Sequence, residues 1–221
     1  MKSKQIPRRF IQYILGLLTM ALGIVLINRS NYGNGPVTAL AAAISNVTPF
    51  SLGNTTTAVH LLCVLGQIII VRRVTLKSIL TAFVGIPFGY MIDGLMWLID
   101  PGQLSIFLRW VFMFAGFAAS GLGVCLVVGA DLMLPAPDEL GHTISQVYHK
   151  KLSNVKFFAD AVYIVLAVPI DLIFTHRIVS VGIASVFSVL LTGRFVGWFF
   201  DLFPKLIMGP FWSIPDSVKD K

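Results

Sequence analysis

Ionisable side chains set inside apolar stretches are the residues best placed to do chemistry, because a charge at membrane depth costs about 3 kcal/mol on the mildest scale and persists only with a purpose. Asp160 lies six residues into one apolar run and Arg194 seven residues before the end of the next. At about 1.5 Å per residue, both sit about 10 Å from the same membrane face. The two can pair as a structural clamp. They can also act as a gate, in which Arg194 meets an anionic solute or exchanges partners among Asp160, Asp138 and Glu139. His60 holds a comparable depth in an earlier run. Its imidazole titrates near neutral pH, which suits proton coupling, and it serves equally as a hydrogen bonder in helix packing. Asp93 and Arg29 both lie near the outer ends of their runs, where they can pair or reach for water.

A second candidate is the turn Gly33-Asn34-Gly35-Pro36. Glycine permits tight backbone geometry, and proline at the first helical position gives up no hydrogen bond. The helix start so formed exposes amide donors to a carboxylate or phosphate, and it is equally a plain structural turn. In the later segment Asp138 is expected to cap its own helix and fill that position. Enzyme signatures are missing: there is no His-Glu-x-x-His, phosphate-binding loop or dinucleotide fingerprint. Ser120 sits in a cluster with Gly116, Ala118, Ala119, Gly121 and Gly123, the composition of close helix packing rather than of a nucleophile's setting. His142, His149 and His176 form no ligand-spaced set, so neither a metal nor a cofactor is expected. Cys63 and Cys125 lie within apolar runs and read as small hydrophobes.

The elements that position these groups follow from composition. The 221 residues are 56% hydrophobic and only 12% charged, about half the charged share of a soluble domain. Six runs can cross hydrocarbon, at 10–28, 52–71, 76–98, 106–128, 154–174 and 178–201, and lipid forces such continuous runs into helices. Segments 36–48 and 138–149 are about 20 Å long, too short to span, and either dip into the membrane or lie at its surface. The basic start, Met1 to Arg9, leads into a span-length run and reads as a retained first helix. With the amino terminus inside, 13 of the 17 Lys and Arg residues fall on the inner side: Lys2, Lys4, Arg8, Arg9, Arg72, Arg73, Lys77, Lys150, Lys151, Lys156, Lys205, Lys219 and Lys221. That bias places both termini in the cytoplasm. The net charge of +7 is thereby explained by a membrane face, without nucleic acid.

The chain also repeats itself. At an offset of 100, Leu22-Gly23 matches Leu122-Gly123, Leu40 matches Leu140, and Ile44-Ser45 matches Ile144-Ser145. His60 falls opposite Asp160 in this alignment, and at an offset of 104 Ile79, Phe83 and Gly89 match Ile183, Phe187 and Gly193. Each half carries three spans and one short helix. An odd number of crossings inverts the second half relative to the first, a pattern associated with transporters whose path runs between the halves.

The stretch Asn31-Tyr32-Gly33-Asn34-Gly35-Pro36 followed by Leu40, with Ser51-Leu52-Gly53-Asn54 opening the next run, resembles the YczE/YyaS/YitT group of bacterial multi-spanning inner-membrane proteins over nearly the whole chain. The group's Gly-Pro-x-Asp-x-Leu turn has Thr38 at its acidic position here, while Ala136-Pro137-Asp138-Glu139-Leu140 keeps the acid and displaces the proline by one. The resemblance implies a bacterial inner-membrane location and supplies no activity. The expectation is an all-α membrane domain over 1–221, with repeats at about 10–98 and 106–201, that is not an enzyme. It is expected to act as a permease or exporter of a small solute, with His60, Asp160, Arg194, Asp138, Glu139 and Asp93 on the path. The alternatives are an accessory or scaffold protein and the substrate-binding subunit of a larger transport complex, as a homo-oligomer or with a partner membrane protein.

Overall fold

Apolar runs bounded by hydroxyl and proline signals give helices with well-defined starts. In the computed structural model residues 6–202 are described, and they form eight helices and no strand. These are α1 (Ile6–Arg29), α2 (Pro36–Val47), α3 (Leu52–Val71), α4 (Leu76–Leu98), α5 (Ile106–Ala130), α6 (Ala136–Val147), α7 (Leu152–Thr175) and α8 (Ile183–Leu202). The side chains of Ser51, Thr75 and Ser105 cap α3, α4 and α5 by accepting from the amides of Asn54, Ser78 and Leu108. Lys2, Lys4, Lys205, Lys219 and Lys221, which enter the orientation count, lie outside the described residues.

Among the described residues five helices, α1, α3, α4, α5 and α7, are long and apolar enough to cross a membrane. The sixth expected run begins later than its composition suggests. Residues 176–182 form a turn because the buried Asp171 carboxylate takes up the amides of Val179 and Ser180 at 2.9 and 2.7 Å, so α8 starts only at Ile183. α6 spans 136–147 rather than 138–149, since Pro137 is tolerated in a first turn. Its N-cap is Pro135, so Asp138 is not the cap that the sequence suggested; it lies inside the first turn. α2 packs into the protein: Ala39, Ala41 and Ala43 are fully buried, and the helix contacts α3, α7 and α8.

α1 and α5 form the centre. Gly16 faces Leu126 and Val127, and Gly23 faces Gly116 and Ser120, so the two helices run antiparallel. A Cβ at Gly23 would lie 2.6 Å from the Gly116 carbonyl oxygen; one at Gly123 would lie 2.8 Å from that of Gly16. Gly16 and Gly116, like Gly23 and Gly123, are 100 residues apart, so each glycine meets the counterpart of what its own counterpart meets. Close backbone approach of this kind is what holds helices together in lipid, where burial from water contributes little.

Around this centre the packing comes in matched pairs. α2 packs on α7 as α6 packs on α3, and α1 on α4 as α5 on α8. The left-handed residues match too: Asn31 and Asp131 follow α1 and α5, and Arg72 and His176 follow α3 and α7. The exception is that α3 packs closely on α4, whereas α8 has its main contacts with α5 and α2 rather than α7.

Candidate functional site

Where the short helices start, the bundle leaves a cavity of about 160 Å³. Its lining includes pairs of positions 100 residues apart: Ile24 with Val124, Val37 with Pro137, Thr38 with Asp138, Thr56 with Lys156, and His60 with Asp160. Gly35 and Pro36 of the predicted turn also line it, together with Phe88, Ser120 and Ser188. The sequence alignment placed His60 and Asp160 at equivalent positions of the repeat; the structure brings both to one cavity.

Each charged group there has a definite setting. Lys156 donates to Asp138 at 2.6 Å, linking α7 to the first turn of α6. Asp160 lies one turn beyond Lys156 on the same face of α7, within its electrostatic reach, and is half-buried without a direct hydrogen bond or ion pair among the described residues. His60 is 5% exposed and stacks on Phe88 with ring centroids 5.5 Å apart. Neither of its ring nitrogens is hydrogen-bonded to a described residue. Thr56 turns its hydroxyl back to the Leu52 carbonyl at 2.7 Å.

The other predicted residues lie elsewhere. Arg194 is exposed on α8 and belongs to none of the ion pairs among the described residues, so the Asp160–Arg194 pair does not form. The reason is lateral: the two share a depth, but α8 packs on α5 and α2. Glu139 is buried and takes Lys77 of α4 at 2.7 Å, tying α6 to α4 instead of facing the cavity. Asp93 accepts from the Gly53 amide at 2.7 Å and the Ser51 hydroxyl at 2.6 Å, holding the start of α3 against α4. Arg29 accordingly pairs with Asp100 at 3.4 Å and donates to the Met96 carbonyl, rather than to Asp93.

The Gly33-Asn34-Gly35-Pro36 turn joins the start of α2 to the segment before α8. The Asn34 amide donates to the Ser180 carbonyl at 2.9 Å, and the Ala184 amide to that of Tyr32 at 2.9 Å. Gly33, with φ +92°, lies against the backbone of Gly182, where no side chain fits. Sequence reasoning missed two groups. Lys156 entered only the charge count, although its position four residues before Asp160 was a visible signal. Asp171, fully buried, also takes the Ser180 hydroxyl at 3.1 Å; an acid within an apolar run was the available clue.

Long apolar helices packed around a partly polar cavity define a multi-span α-helical membrane protein. The chain belongs to DUF6198, a family of unknown function, whose model matches residues 7–201. That match gives no specific support to the YczE/YyaS/YitT name. Comparisons with curated proteins and with solved structures returned no match.

Proposed function

We propose that the protein is a permease or exporter that moves a small solute across a bacterial inner membrane by alternating access, with both termini cytoplasmic and the halves inverted. One observation carries this reading: the cavity between the halves is lined by equivalent positions of each, beside an antiparallel α1–α5 contact that is the same from either side. Two copies related by a half-turn in the membrane plane can rock about such a contact, opening the cavity first to one side and then to the other. The matched packing pairs and left-handed residues support the same arrangement.

Purified protein in liposomes, assayed against a metabolite panel, should move a solute at a rate above that of empty vesicles. A cysteine introduced by Gln103→Cys should react only from outside, and one introduced by Ser153→Cys only from inside. Absence of flux across the panel, together with a partner retained on gentle isolation, would favour an accessory role. α7, of which only Val155, Ala167 and Asp171 are buried, offers a surface for such a partner.

A further inference from the structure

The charges in the cavity bear on what it accepts, an inference that rests on the transport reading above. Asp138 is neutralised by Lys156, and Asp160 has no direct partner. Two carboxyl groups against one ammonium leave one acidic group without a counter-charge, in a cavity whose wall also includes Ile24, Ile27, Val124 and Phe88. His60 supplies a second and independent observation. It lines the same cavity, is 5% exposed, and has no hydrogen bond to a described residue, which leaves its ring nitrogens available to an occupant. A carboxyl group without a counter-charge and an imidazole without a hydrogen bond, in one mainly apolar cavity, suit an occupant that donates hydrogen bonds and carries positive charge. The uncapped start of α2 opens on the same space and would draw an anion, but the excess carboxylate opposes it.

Volume limits the size. A cavity of about 150 Å³ takes a benzene-sized molecule, and this one is about 160 Å³. We propose that the cavity binds a small organic monocation, a primary ammonium on a compact apolar body, with its N–H groups shared between the Asp160 carboxylate and a His60 ring nitrogen. The apolar part lies against Phe88, whose ring face also favours a cation.

Calorimetric titration of the purified full-length protein with n-butylammonium chloride, sodium butanoate and 1-butanol tests this with three probes of similar size and different charge. Saturable binding of butylammonium at least tenfold tighter than that of the other two is the expected result. Asp160→Asn should weaken it at least tenfold, and His60→Leu severalfold, in variants that elute as folded protein. Should those variants not fold, the wild-type series decides alone. Equal or tighter binding of butanoate or butanol, or no saturable binding of butylammonium, overturns the proposal. Butylammonium binding without flux would keep the cation site and sink transport. Flux of a solute that butylammonium neither binds beside nor inhibits would keep transport and sink the cation site.

Discussion

The two walls of the cavity share a backbone plan and differ in charge. The first half presents Thr38, Thr56 and His60; at the same three places the second half presents Asp138, Lys156 and Asp160. Between them the glycine contacts of α1 and α5 remain equivalent in both directions. The contrast separates two kinds of constraint. Positions that set how closely helices approach are held alike on both sides, because a single Cβ there would collide with backbone. Positions that face the cavity are free to diverge, and all of their formal charge has gathered on one wall. A solute in this space would meet a neutral side and a charged side, which gives a site built on symmetric scaffolding an orientation.

The largest effect expected from disturbing this contrast is on flux. Asp160→Asn should cut liposome transport at least about a hundredfold, equivalent to about 2.7 kcal/mol, while leaving folded yield intact. Arg194→Gln, outside the cavity, should stay within about twofold of wild type. Comparable loss from both would return Arg194 to the path. Next come the scaffold positions: Gly23→Ala and Gly123→Ala should each destabilise the protein by about 1–3 kcal/mol through overpacking. Thermal unfolding in detergent should show similar losses for the two, and a large inequality would break the equivalence of the halves. Smallest is the difference between matched wall residues. Lys156→Met strands the Asp138 carboxylate and should cost about 1 kcal/mol, less than a fully buried pair would because Lys156 is 61% exposed. Thr56→Val, whose hydroxyl bonds only within its own helix, should cost less than about 0.5 kcal/mol in the same assay.

Much of the fold was legible because lipid allows so few solutions. Apolar length located the long helices, and Pro36 and Pro137 marked the short ones. The glycines of the 116–123 cluster were read correctly as packing positions, with Gly121 against Phe195 as well. The site was only half legible. The repeat offset paired His60 with Asp160, but depth along a helix says nothing about rotation around its axis or about which helix lies alongside. That is why Asp160 and Arg194, well matched in depth, do not meet. The partners of Asp93, left open between Arg29 and water, escaped for a related reason: beside the Ser51 hydroxyl it accepts from a backbone amide, Gly53, brought near by the close approach of α3 and α4. Backbone donors carry no signature in a side-chain pattern.

The contact between Cys63 and Tyr163, 3.2 Å from sulfur to hydroxyl, joins residues 100 places apart. On the inverted reading it lies where a side chain in a pair of separate, identical subunits would be pressed against its own twin, cysteine on cysteine or tyrosine on tyrosine. On that reading, a single chain lifts the requirement. A small thiol can then sit opposite a large phenol, and the seam between the copies can be fitted by unlike residues that no assembly of identical ones could place there.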